Sequence, residues 1–276
     1  MRRALPAALA VCLAAALARA EVPNPSQFLK MPVGADRTLA DYGQITSYFR
    51  ALAAASPRVQ VEELGRTTNG QPLIMAVISS ESNLRDKARY QEIAKRLADP
   101  RGLSEAQVEA LAKEGRAIVL VTCSIHASEI AASQMAMEWA HGLATAQDAE
   151  TRRRLDQVIL LLMPSLNPDG QVMETEYYRK QLGTRYEGGR LPWLYHPYVG
   201  HDNNRDWYML TQKESIAVNR MAYHQWFPQV WLDEHQMGAT GPRMFVPPYA
   251  NPVAAEIHPL AWRTVDLLGS TMSLRL

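Results

Sequence analysis

Cysteine is almost absent from the chain: Cys12 and Cys123 are the only two in 276 residues. Cys12 falls in a segment expected to be removed. Cys123 is then alone, and no internal disulfide can form even in an oxidising compartment. A charge excess is missing as well. The 29 Lys and Arg nearly balance the 28 Asp and Glu, whereas a nucleic-acid footprint needs a basic excess on one face. Nucleic acid is therefore not an expected partner. Past the first twenty residues no apolar run is long enough to span a bilayer. No internal repeat, low-complexity tract or interdomain linker divides the rest.

What is present begins with a targeting segment. Arg2 and Arg3 precede an Ala/Leu/Val run from Ala4 to Leu17, and Ala18-Arg19-Ala20 offers a small-x-small cleavage site before Glu21. Residues 1–20 therefore read as a signal peptide, with cleavage after Ala20 and a secreted or periplasmic product that keeps no stable membrane insertion. Cys12 has Val11 before it, where a lipoprotein signal wants a small residue. Cleavage removes Arg2, Arg3 and Arg19 and no acid, leaving 26 basic and 28 acidic side chains, a formal net of −2. Residues 21–276 are enough for one α/β domain with a substantial core.

Periodicity divides that domain. Leu39 to Ala55 carries apolar residues at helical spacing and stops at Ser56-Pro57. Val59 to Leu64 alternates, Thr67-Thr68-Asn69-Gly70 is a turn signal, and Leu73 to Ile78 is a second strand, which together predict a hairpin. Two charged helical segments follow, Asp86 to Ala98 and Ser104 to Gly115. An apolar strand at Ile118 to Val121 leads into a helix over Ile130 to Ala144, and Val158 to Met163 is another fully apolar strand. From Gln171 to Trp207 little regular pattern is visible, only aromatic, Arg and Asn residues too concentrated for a disordered tract. A helix over about 213–225, a strand from Val230 and a helix from Pro252 to Leu268 complete the reading. The order of elements implies an α/β fold: a mixed, largely parallel central sheet with helices on both faces.

Two strands end alike. The strand at Ile118 runs through Cys123-Ser124 and stops at His126, with Glu129 three residues later at the start of a helix. The strand Val230-Trp231-Leu232 turns acidic at Asp233-Glu234 and reaches His235. Ligands bind outside the carboxyl ends of strands in open α/β sheets. Two imidazoles and a carboxylate there can hold zinc. His-x-x-Glu alone is weak, since a salt-bridged pair reads the same way. The second His is the partner it needs.

In combination the motifs resemble the zinc carboxypeptidase family known as M14. The pattern is His126-Ala-Ser-Glu129, then Asn167-Pro-Asp-Gly170, then Asn204-Arg205, then Asp-Glu-His235, with 109 residues between the two His. The likeness covers roughly Leu39 to Pro248. It implies one zinc ion held by His126, Glu129 and His235 with a fourth position for water, and peptides as substrates cut at their C-terminal residue. It implies further that Asn204 and Arg205 hold the terminal carboxylate, that Arg179 polarises the scissile carbonyl, with Arg185 as the other candidate, and that Asp202 orients His126. Glu234 lies on the opposite strand face from His235 and is not expected at the metal.

There are two departures from the family pattern. Ser128 stands where many members have an Arg before the Glu ligand. The family's general base, and a substrate-closing Tyr before it, would at the usual spacing fall beyond Leu276. Glu256 and Asp266 come too early. The expectation is a catalytic domain that lacks its C-terminal part and the base Glu. Two other activities fit the same ligands: a zinc-dependent deacylase of small acylamino acids, and a zinc- and peptide-binding fragment without turnover.

Overall fold

Five strands form one mixed sheet in the order β1-β2-β4-β3-β5. The computed structural model describes residues 22–194, 202–238, 240–242, 245–248 and 254–276. The expected signal peptide, Gly200-His201 and the first two residues of the expected helix at Pro252 lie outside that range. In chain order the elements are α1 (Pro25–Leu29), α2 (Tyr42–Ala55), β1 (Val59–Arg66), β2 (Pro72–Ile78), α3 (Glu81–Arg85), α4 (Lys87–Ala98), α5 (Glu105–Glu114) and β3 (Ala117–Cys123). Then come α6 (Ala131–Thr145), α7 (Ala149–Gln157), β4 (Val158–Met163), α8 (Pro168–Gln181), α9 (Lys213–Met221), a π-type turn (Ala222–Trp226), β5 (Val230–Glu234) and α10 (Pro259–Ser273). Among the described residues no helix is long and apolar enough to cross a membrane.

The sheet is mixed, as its patterning implies. β1 and β2 form the hairpin set by Thr67 to Gly70, with Gly70 at a φ of 86° that a side chain would resist. β2 runs antiparallel to β4, while β3 is parallel to both β4 and β5. The three parallel strands therefore end on one edge, and the segments after Cys123, Met163 and Glu234 emerge side by side.

Alternation along the central strands separates two cores. Leu160 and Leu162 of β4, with Val121 and Cys123 of β3, face α2 and α6. Ile159, Leu161 and Met163, with Ile118 and Leu120, face α4, α9 and Trp226. A strand buried on both faces must be apolar throughout, which is why β4 reads as an unbroken run. Helices thus cover both faces. The buried Cys123 thiol is pushed up from its usual pKa, first by desolvation and then by the nearby Glu234 and Asp233 carboxylates. It is an inert core group.

Besides the five-residue α1 and α3, two helices lie where sequence periodicity shows none. α7 is charged along its length and buries only Leu155. α8 occupies the first part of the stretch read as irregular. Its start is well marked: Asn167 accepts from Gly170 N at 2.9 Å, and Pro168 occupies the first turn. Its inner face is polar, however, with Asp169, Gln171 and Thr175 buried, so no apolar stripe betrays it. α10 starts at Pro259, where the His258 side chain caps it by accepting from Leu260 N, and the described residues 254–258 before it are not helical.

Candidate metal centre

The edge formed by the ends of β3, β4 and β5 collects most of the predicted residues. β3 leaves the sheet through Ser124, which holds a left-handed φ of 53°, unusual for a residue with a side chain. Its hydroxyl donates to Glu129 O at 3.2 Å, and Glu129 N donates to His126 O at 2.9 Å, which closes the turn. The carbonyl of Ile125, the residue before His126, accepts from Asn203 Nδ2 at 2.6 Å and from Asn167 Nδ2 at 3.3 Å. Asn167 belongs to the turn after β4 and Asn203 to a short 3-10 turn at Asn203–Arg205. Three separated segments are thereby tied to one peptide group. Asp169 of the same Asn-Pro-Asp-Gly turn accepts from Thr67 Oγ1 at 2.6 Å and Asn69 N at 2.9 Å, anchoring it to the β1–β2 hairpin.

His126, Glu129 and His235 converge. One ligand atom from each lies within 4.8 Å of the other two. Glu129 Oε1 is 3.0 Å from His126 Nδ1, and Oε2 is 2.9 Å from His235 Nδ1. The two rings are 4.9 Å apart between centroids. Gln236 N also donates to Glu129 Oε2, at 3.1 Å, so the chain just after His235 helps to aim the carboxylate. Behind the cluster, His126 Nε2 meets Asp202 Oδ1 at 3.0 Å, and His235 Nε2 meets Asp233 Oδ2 at 2.8 Å.

The electrostatics follow from those contacts. The His126 imidazole is raised above its ordinary pKa chiefly by its hydrogen bond to Glu129, against the lowering effect of burial. His235 is pushed up to about 10 by Asp233 first and Glu129 second. Burial works against ionisation of Glu129, yet hydrogen bonds from both imidazoles and from Gln236 N outweigh it and bring that carboxyl down to about 2. Asp202 is likewise lowered: burial opposes ionisation, but the Asn204 N–H and His126 prevail. Two imidazoles and a carboxylate that each offer a ligand atom within 4.8 Å of the others are a donor set that fits zinc. Loading such a site displaces the protons held there.

The remaining predicted residues divide. Asn204 and Arg205 lie beside Asp202. Asn204 N donates to Asp202 Oδ1 at 2.8 Å, and Asn204 Oδ1 accepts from Trp207 Nε1 at 3.0 Å. Arg205 is exposed and donates to the Asn204 carbonyl at 3.0 Å. Arg179 lies on α8 and is engaged elsewhere: its guanidinium donates to Asp41 Oδ2, Leu39 O and Gln44 Oε1, each at 2.8 Å. Two of those partners, Asp41 and Gln44, form the capping box of α2. Arg185 stacks on the Tyr186 ring at 4.7 Å. Glu234 pairs in register with Cys123 on the opposite face, its pKa raised by burial and then by Asp233. Glu256 and Asp266 are both exposed. Ser128 lines a cleft of about 990 Å3 together with Met135, Glu138, Glu174, Tyr177 and Trp193 among others.

Sequence reasoning places Asp233 on the face of His235 without giving it a role, and it misses Asn203 and the Gln236 amide. The first carried a signal, since residues two apart on a strand share a face. The other two act through backbone groups of distant segments, which no motif displays.

The zinc carboxypeptidase family model matches residues 45–253. Solved structures with related folds include the carboxypeptidase A of Helicoverpa armigera, at 17% identity over 90% of this chain and 55% of that one, with a TM-score of 0.53. Others are a metallo-carboxypeptidase from Burkholderia cenocepacia (19% identity, 72% and 42% covered, TM-score 0.43) and bovine thrombin-activatable fibrinolysis inhibitor bound to tick carboxypeptidase inhibitor (12% identity, 80% and 67% covered, TM-score 0.47). The chain spans about half the length of the first two. No curated protein matches it.

Proposed function

Because the chain belongs to the zinc carboxypeptidase family, we propose that it binds one zinc ion through His126, Glu129 and His235 and hydrolyses peptides at the C-terminal residue. The observation that carries this reading is the convergence of two Nδ1 atoms on the two oxygens of Glu129. Zinc in such a site polarises a scissile carbonyl and lowers the pKa of its bound water toward neutrality.

The protein's own groups supply position. Glu129 joins both imidazoles, and Asp202 supports His126 from behind. Asn204 and Arg205 are proposed to hold the terminal carboxylate, a task that suits a planar guanidinium. Their position next to Asp202, the support of His126, favours that role. For Arg179 to polarise the carbonyl, it must first release Asp41, Gln44 and the Leu39 carbonyl. The attacking water also needs a base within hydrogen-bond reach. The described carboxylates at the cluster, Glu129, Asp202 and Asp233, are engaged by the imidazoles. Export through residues 1–20, with residues 21–276 as the zinc-binding domain, belongs to the same proposal.

The test compares a peptide with a free C-terminus and its amidated form, using zinc-loaded protein. The reading predicts release of the last residue from the free form and little from the amide. Equal cleavage of both moves the assignment to amide deacylation. Stoichiometric zinc with neither peptide cleaved leaves a binding role.

A further inference from the structure

His235 presents Nδ1 to Glu129, so its ring can be fixed only through Nε2. That atom lies 2.8 Å from Asp233 Oδ2. The other Asp233 oxygen accepts from Thr122 Oγ1 at 2.6 Å, and Thr122 Oγ1 lies 3.0 Å from Trp231 Nε1. Thr122 is fully buried and is the cross-strand neighbour of Asp233 in the parallel β3–β5 ladder. Trp231 and Asp233 are two apart on β5 and share a face. Trp207 and Tyr223 pack on the Trp231 ring at centroid distances of 5.3 and 6.3 Å, which holds the indole in place.

The direction of this chain is settled at its far end. An indole N–H can only donate. Thr122 must therefore accept from Trp231, and its single hydroxyl proton goes to Asp233 Oδ1. An ionised Asp233 carboxylate also accepts at its other oxygen, so His235 Nε2 is the donor. Once the Nδ1 proton that bonds Glu129 is lost, an imidazole protonated at Nε2 carries its lone pair on Nδ1. Trp231, Thr122 and Asp233 thus form a one-way relay whose output is the tautomer of His235.

We infer that Asp233 and Thr122 are positioning residues that hold His235 with its Nδ1 lone pair turned toward the metal site. The inference rests on the zinc reading of that site. Asp202 supports His126 through a side chain on a short surface turn. The support of His235 is instead built into the sheet, from adjacent positions on two strands.

The test measures zinc dissociation constants by chelator competition in the full chain. It compares Asp233→Asn, Thr122→Val, Thr122→Ser and His126→Ala with the parent, and follows the His235 ring by heteronuclear NMR. Loss of an outer carboxylate partner typically weakens metal binding by about 10- to 100-fold, and Asp233→Asn is expected in that range. Thr122→Val should weaken binding severalfold and Thr122→Ser, which keeps the hydroxyl, should restore it. The ring spectrum should show a smaller share of the Nε2–H form in Asp233→Asn, whereas Thr122→Val, which keeps the carboxylate, should retain that form. Should Asp233→Asn fold poorly, the Val and Ser pair decides alone. Unchanged affinity in Asp233→Asn and Thr122→Val, with zinc lost in His126→Ala, overturns the relay and leaves the site standing. Full zinc binding in His126→Ala overturns the site itself.

Discussion

His126 and His235 meet the same carboxylate from supports of different kinds. His126 sits on a turn beyond β3, where Ser124 has a left-handed φ and the Ile125 carbonyl is held by Asn167 and Asn203. Its outer partner, Asp202, lies on a surface turn with 39% of its side chain exposed. His235 stands one residue past β5, and its outer partner is a strand residue with 26% exposed, bonded to a buried threonine. A turn needs several outside contacts to fix one backbone group, because it lacks a ladder of its own. A strand end inherits its position from the sheet. The difference teaches that one metal site can be half built into the fold and half assembled on it.

Removing a ligand is the largest perturbation of that arrangement and should act equally on both arms. His126→Ala or His235→Ala is expected to abolish stoichiometric zinc, read as metal content after dialysis, with the far-ultraviolet dichroism unchanged. Retention of metal by one variant alone would mean that its arm does not hold the ion.

The clamp on the turn comes next. Asn203→Ala removes the shorter of the two bonds to the buried Ile125 carbonyl, and loss of a buried partner costs about 1–3 kcal/mol. Urea unfolding should show that loss, together with weaker zinc binding. Stability lost with zinc affinity intact would separate the clamp from the site.

Smaller again is the exposed support. Asp202→Asn should raise the zinc dissociation constant about tenfold, at the low end for an outer carboxylate, and by less than Asp233→Asn does. The reverse order would invert the contrast between the two arms.

The smallest effect is expected far from both. Arg179→Ala breaks a half-exposed ion pair at the cap of α2, worth about 0.2–1 kcal/mol. It should lower the urea midpoint slightly and leave peptide turnover alone. A more than tenfold fall in turnover with stability unchanged would restore Arg179 to the reaction.

The sequence made the strands and both imidazoles legible because the physics there is local. β3 and β4 are apolar runs, β5 begins as one, and each His comes within three residues of a strand end. The helix α8 was hidden because its buried face is Asp169, Gln171 and Thr175 rather than an apolar stripe. α7 was hidden because it buries a single leucine. The Asn-Pro-Asp-Gly turn is visible as a motif, but its contacts run to the Ile125 carbonyl and to the β1–β2 hairpin. Only the folded chain reveals those contacts. Asp233 lies between these cases: strand alternation places it on the face of His235, while its bond to Thr122 depends on which strand becomes the neighbour of β5.

The most direct test of the central claim is diffraction from zinc-soaked crystals on both sides of the zinc absorption edge. The account predicts one anomalous peak per chain, bonded to Nδ1 of His126, Nδ1 of His235 and a Glu129 oxygen. A peak elsewhere, or one bonded through Nε2 of either imidazole, would contradict it.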